Sequence, residues 1–135
     1  MNIRFKKNRV GNKKLNVKNL DNRIYRIVIE AKEKNTIITL TDEKNRVIKW
    51  VSGGRYNISG KKRGNAHTGQ NLAKEIALKA LSCGIKYVNI IIRGTGRGRY
   101  GILKLIERQG LDIISTEYDP KIKYNGCKPP KARRL

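Results

Sequence analysis

Tyr87-Val88-Asn89-Ile90-Ile91-Ile92 leads directly into Arg93-Gly94-Thr95-Gly96-Arg97-Gly98-Arg99-Tyr100-Gly101. The first six residues form a near-continuous apolar run rich in β-branched side chains, the pattern of a strand covered on both faces of its sheet. The glycine-arginine stretch cannot prolong that strand. Beyond it, Ile102, Leu105 and Ile106 recur at helical spacing, which predicts a short helix around Tyr100–Gln109 closed by Gly110. Asp112-Ile113-Ile114-Ser115-Thr116 then reads as another strand. Strand, helix and strand in that order make a crossover unit, with parallel strands and a right-handed connection.

Working towards the N-terminus, Leu72, Ala73, Ile76, Ala77, Ala80 and Leu81 line one face of a helix over Gln70–Cys83, with Lys74, Glu75 and Lys79 elsewhere and Gly84 as the stop. Three β-branched segments come earlier: Ile24–Glu30, Thr36–Thr41 and Val47–Val51. The links between them are short, Asp42-Glu43-Lys44-Asn45 being a polar turn, so an antiparallel meander is expected. The fold class is therefore α/β: a single mixed β-sheet in the order βββαβαβ, helices packed on the sheet. Both strand-helix-strand crossovers are expected to join parallel neighbours. Residues 24–118 form the core, 1–23 a basic N-terminal arm and 119–135 an extended basic tail.

The charge is far from balanced. Lysine and arginine total 32 against 10 acids, a net charge of +22 in 135 residues. Such self-repulsion opposes compaction unless a polyanion neutralises it, and release of condensed counterions gives such a chain affinity for nucleic acid. Residues 1–26 carry nine Lys/Arg and one acid, Asp21, with few large apolar side chains, so they cannot fold alone. This stretch is rich in asparagine, lacks serine and shows no amphipathic stripe, which favours a basic arm over a mitochondrial targeting peptide. At the other end, Asn125-Gly126-Cys127-Lys128-Pro129-Pro130-Lys131-Ala132-Arg133-Arg134-Leu135 cannot form helix or sheet. Prolines remove amide donors and hold the backbone extended, so the tail is suited to lie along a partner, with RNA the natural polyanion.

Other function classes find little support. No apolar run approaches the ~18 residues of a membrane span, and no membrane partner is expected. Cys83, Cys127 and the single His67 make no zinc-ligand cluster, and two thiols this far apart suit a reducing compartment. No cofactor is expected. Gly96-x-Gly98-x-x-Gly101 matches the dinucleotide fingerprint, but Arg97 and Arg99 crowd the turn where bare backbone should meet pyrophosphate. The better reading is a phosphate clamp at a helix start, with Gly94, Gly96 and Gly98 allowing close approach and Arg93, Arg97 and Arg99 supplying forked donors. The loop 52–69 is a second candidate: Arg55, Lys61, Lys62 and Arg63 would meet phosphates while Tyr56 stacks on a base. Trp50 reads as a core or sheet-face residue, and His67 as a helix-entry residue. In the tail, Asn125, Gly126, Lys128, Lys131, Arg133 and Arg134 complete the candidate RNA-binding set.

These features together resemble the universal small-subunit ribosomal protein eleven family. The tail from Asn125 to Leu135 is similar to the family's Asn-Gly-Cys-Arg-Pro-Pro-Lys ending, and Asn35–Asp42 to its second strand. Trp50-Val51-Ser52-Gly53-Gly54 opens the glycine-basic loop in the expected place, and Gly94–Arg99 fills the slot of a Gly-Pro-Gly-Pro-Gly-Arg loop. Thr95 and Arg97 replace two prolines there, Asn65-Ala66 replaces Thr-Pro, and Asn57 stands where glycine is common. The resemblance runs from about Ile24 to Leu135. It implies a non-catalytic constituent of the small ribosomal subunit that binds small-subunit ribosomal RNA in the platform. Neighbouring platform proteins would be partners, messenger RNA would pass nearby, and no homo-oligomer is expected. The abundance of Lys, Asn and Ile against three prolines suits an AT-rich genome. With the absence of an import signal, this favours the mitochondrial matrix over the plastid or bacterial cytoplasm. The competing reading is a free-standing basic nucleic-acid-binding protein, which would bind DNA as readily as ribosomal RNA.

Overall fold

A computed structural model describes residues 24–120, 122 and 124–132. The basic arm 1–23, Arg133 and Arg134 lie outside the described residues. Five strands, β1 (Tyr25–Ala31), β2 (Thr36–Thr41), β3 (Val47–Ser52), β4 (Tyr87–Arg93) and β5 (Asp112–Tyr118), and two helices, α1 (Ala66–Ser82) and α2 (Ile102–Arg108), follow the expected order. All five strands form one mixed sheet arranged β3-β2-β1-β4-β5. The first three pair antiparallel, while β4 and β5 run parallel to β1.

Strand side chains alternate between faces, and the sequence obeys this period closely. Tyr25, Ile27, Ile29 and Ala31 of β1, Ile38 and Leu40 of β2, Val51 of β3, and Val88, Ile90 and Ile92 of β4 all point to one face and are buried. Leu72, Ala73, Ile76, Ala77 and Ala80 of α1 and Ile102 and Ile106 of α2 close that layer. Burying each Ile or Leu side chain contributes about 1.5–3 kcal/mol, so this layer is the main source of stability. Leu81, read as part of the buried stripe, lies at the exposed edge of α1, and Leu105 is half-buried.

Three expectations need correction. First, β4 is not covered on both faces: Asn89 and Ile91 lie half-exposed on the face away from the helices. Both helices pack on a single side, and among the described residues no element covers the other. Second, the crossover through α1 does not join neighbours. It carries the chain from edge strand β3 past β2 and β1, so that β4 pairs with β1; only the crossover through α2 links adjacent strands. Third, the segment 52–69 is not one loop. It holds two 3₁₀ turns, Gly53–Tyr56 and Gly60–Gly64, and α1 begins at Ala66. His67 therefore sits in the first turn of α1, as its reading as a helix-entry residue required.

Candidate nucleic-acid interface

Strand direction decides where the basic segments emerge. Because β1, β3, β4 and β5 point the same way, their carboxyl ends share one edge of the sheet. From that edge leave the 32–35 turn, the basic loop 53–64, the glycine-arginine loop and the C-terminal tail. Open α/β sheets place their binding sites outside the carboxyl ends of the strands, and here every such exit carries cations.

The glycines of the second loop face inward. A Cβ on Gly94 would lie 2.2 Å from the Ala31 carbonyl oxygen, on Gly96 2.4 Å from that of Lys32, and on Gly98 1.9 Å from Thr36 Oγ1. Gly94 also has φ +86, a conformation that disfavours any side chain. Only glycine lets this loop lie flat on the β1–β2 hairpin, where the Gly96 amide donates to the Ala31 carbonyl at 3.0 Å. Close approach is thus made to the protein's own β1–β2 hairpin, to backbone at Gly94 and Gly96 and to the Thr36 side chain at Gly98. The Gly96 amide is spent on Ala31 and so is not free for a pyrophosphate. Nor does the loop open straight onto a helix: a 3₁₀ turn, Arg97–Arg99, comes first, and α2 has only seven residues.

The arginines have separate tasks. Arg93 Nε donates to Asp119 Oδ2 at 2.7 Å and ties the end of β4 to the start of the tail. The Arg99 guanidinium lies 5.4 Å from the centre of the Tyr100 ring, and its Nη1 donates to the Gly94 carbonyl at 3.4 Å. Arg97 is exposed and makes no ion pair among the described residues. It is the free cation of the loop.

The 53–64 loop divides in the same way. Glu75 on α1 accepts from the Tyr56 hydroxyl and pairs with Lys49 at 3.3 Å and Arg55 at 3.6 Å. Burial, then the hydrogen bond to Glu75, push the Tyr56 pKa from 10.0 up to about 12. Tyr56 is therefore tethered to α1 by its hydroxyl, while the residue stays 45% exposed. Arg63 donates to the Ile58 carbonyl and is half-buried, closing the loop on itself. Asn57 takes the left-handed conformation at φ 54, which asparagine tolerates better than most residues. Lys61 and Lys62 remain exposed, without ion pairs among the described residues.

The two loops meet. Gly64 packs on the 32–35 turn, where an added Cβ would lie 2.2 Å from the Glu33 carbonyl oxygen. Between the loops and that turn opens a cleft of about 420 Å³, flanked by Lys34, Lys61 and Arg97 with Glu33, Asn65 and Thr95. Sequence reasoning missed Lys34 because nothing local marks a turn lysine; only the hairpin's place beneath the glycine loop brings it here. A second cleft of about 340 Å³ separates Glu30, Lys32 and Arg93 from Pro120, Ile122 and Tyr124 of the tail. From there Asn125, Gly126, Lys128 and Lys131 run exposed, with Asn125 at φ 37. Cys83 and Cys127 are free thiols.

A family model described as ribosomal protein S11 matches residues 26–134 of this chain. Among curated proteins, the chain is 38% identical over 107 residues to small ribosomal subunit protein uS11c of Phaeodactylum tricornutum, covering 79% of this chain and 82% of that protein. It is 37% identical over 109 residues to small ribosomal subunit protein uS11 of Thermus thermophilus, covering 81% and 84%. The corresponding protein of Thermotoga maritima is 36% identical over 107 residues, covering 79% and 82%.

Proposed function

The chain belongs to the ribosomal protein S11 family, and from that premise we propose that its one basic edge grips small-subunit ribosomal RNA in the subunit platform. Membership makes it a structural, non-catalytic constituent of the small ribosomal subunit, associated with ribosomal RNA and other ribosomal proteins. The finer assignments are our reading. Lys34, Lys61 and Arg97 take phosphates around the shared cleft, and Lys62 takes another from the same loop as Lys61. Arg55, Tyr56, Arg63, Arg93 and Arg99 shape the loops that present them, and Gly94, Gly96 and Gly98 fix the loop on the hairpin. The tail, with Asn125, Gly126, Lys128, Lys131, Arg133 and Arg134, extends along the RNA, near the path by which messenger RNA leaves. The protein acts as a single copy. Its abundance of Lys, Asn and Ile supports a mitochondrial ribosome.

The observation carrying this reading is that every segment leaving the carboxyl edge of the sheet is basic and three of them converge on one cleft. The test is the salt dependence of binding to a small-subunit ribosomal RNA fragment. Removing one phosphate contact lowers the slope of log K against log[salt] by about 0.7–0.9, so the triple variant Lys61→Gln, Lys62→Gln, Arg97→Gln should lower it by about 2.1–2.7. An unchanged slope would show that these loops do not meet phosphate.

A further inference from the structure

The face of the sheet turned away from the helices has no counterpart in the RNA reading. Pairing registers arrange it in three rows. Trp50, Thr39, Val28, Ile91 and Glu117 lie side by side from β3 to β5. Ser52, Ile37, Glu30 and Arg93 form the row nearer the tail, and Val47, Thr41, Arg26, Asn89 and Ser115 the row on the other side. The central row is mostly apolar, and its Trp50 is 57% exposed. In the outer row, between Arg26 and Ser115, Asn89 Oδ1 is buried without a hydrogen-bond partner.

Charge decides what such a face can bind. In a chain of net charge +22, these rows carry Arg26 and Arg93 against Glu30 and Glu117, a balance of zero. A polyanion gains affinity by releasing counterions from phosphates that lysine and arginine neutralise, and this face offers no surplus of either. Tryptophan with aliphatic side chains and a few paired charges is instead the composition of a protein–protein contact. Size narrows the choice. Five strands at ~4.8 Å spacing and about six residues at ~3.3 Å give roughly 500 Å². A stable stand-alone complex needs about 800 Å² per partner. The face is too small to hold a second copy of this chain in solution, yet adequate where a shared RNA already holds two proteins together.

We propose that this face docks another protein of the small subunit, one presenting an apolar surface with a hydrogen-bond donor for Asn89 Oδ1 and no marked excess of charge. RNA contacts are then confined to the carboxyl edge, and the two kinds of partner use separate surfaces. The inference rests on the proposed place of the chain in the subunit.

Trp50 is the only tryptophan, so the chain carries its own probe. The full-length protein is prepared with 5-hydroxytryptophan at that position, and acrylamide quenching is measured free, bound to naked small-subunit ribosomal RNA, and in the reconstituted subunit. Quenching should persist with naked RNA and fall about threefold or more in the subunit, because the core of a protein interface excludes water. Loss of quenching with RNA alone would make RNA the occupant and overturn the proposal. Unchanged quenching in the subunit would also overturn it. So would a free protein already shielded and exposed only on deletion of residues 1–23, since the chain's own arm would then be the cover. Sedimentation of the same samples separates these outcomes from failure of the parent reading, in which the protein enters no subunit at all. A second variant, Thr39→Lys, should bind naked RNA at least as well as the wild type yet be retained poorly in the subunit; equal retention would again count against the proposal.

Discussion

Replacing Gly96 with alanine tests whether the glycine-arginine loop is built around contact with the β1–β2 hairpin. Gly96 has φ −60 and ψ 150, which any residue adopts, so the substitution adds only a methyl group. That methyl would lie 2.4 Å from the Lys32 carbonyl oxygen and within 2.8 Å of the Lys32 and Ala31 carbonyl carbons, all of them backbone. Either the loop or the hairpin must move. Overpacking of this kind costs about 1–3 kcal/mol. Loss of the Gly96 to Ala31 hydrogen bond adds about 1 kcal/mol. Restricting the unfolded chain returns about 0.4–1 kcal/mol. The net loss is about 1–3.6 kcal/mol, a fall in Tm of roughly 4–15 °C for a domain of this size. Thermal unfolding followed by circular dichroism measures it directly. The control is Gly126→Ala, where nothing lies within 4 Å of the added carbon and the change should stay within about 0.5 kcal/mol. A Gly96→Ala protein that melts at or above the wild-type temperature would show the loop free of the hairpin and refute the packing argument.

Three further outcomes are expected. Tyr56, with its pKa raised from 10.0 to about 12 by burial and by Glu75, contributes stability that is fully present below pH 10 and lost as pH rises towards 12. An absorbance titration should show a late-ionising tyrosine that moves down in Glu75→Gln, and no movement would place Glu75 out of contact. Ile76→Ala, at a fully buried position between α1 and the sheet, should cost about 2–5 kcal/mol in denaturant unfolding; a cost below about 1 kcal/mol would put the core elsewhere. Asn125-Gly126 is prone to isoaspartate formation because glycine leaves its amide free to attack the asparagine side chain. Peptide mapping of aged samples should find more conversion in free than in RNA-bound protein, while equal conversion would mean that RNA does not hold the tail.

What the sequence made legible follows its periodicities. Alternation in 24–41 and the three-and-four spacing in 72–80 placed the strands and the main helix face correctly, since a half-buried strand and an amphipathic helix write those periods directly. The place of β4 was not legible: its apolar run signals burial but cannot say on which side of β1 it inserts. Its Ile91 faces outward, so continuity of apolar residues overstated the cover. The start of α1 was read late because Asn65, the N-cap, makes no side-chain cap bond and Gly69 interrupts the apolar spacing.

The site divides along the same line. That Arg97, Lys61 and Lys62 are exposed cations could be read from local composition. That the glycines turn inward could not, since their neighbours Ala31, Lys32 and Thr36 lie some sixty residues away in the chain. Nor could the tether of Tyr56 to α1 be read locally, because its partner Glu75 lies 19 residues further on in the chain. Pairing across such distances is fixed by topology, and no local window contains it.

The central claim, that this chain is a structural component of the small ribosomal subunit, is tested most directly by sedimenting a lysate before and after a high-salt wash. The account predicts that the protein travels with the small subunit and stays there through the wash. A protein that runs free, or that follows DNA, would contradict it.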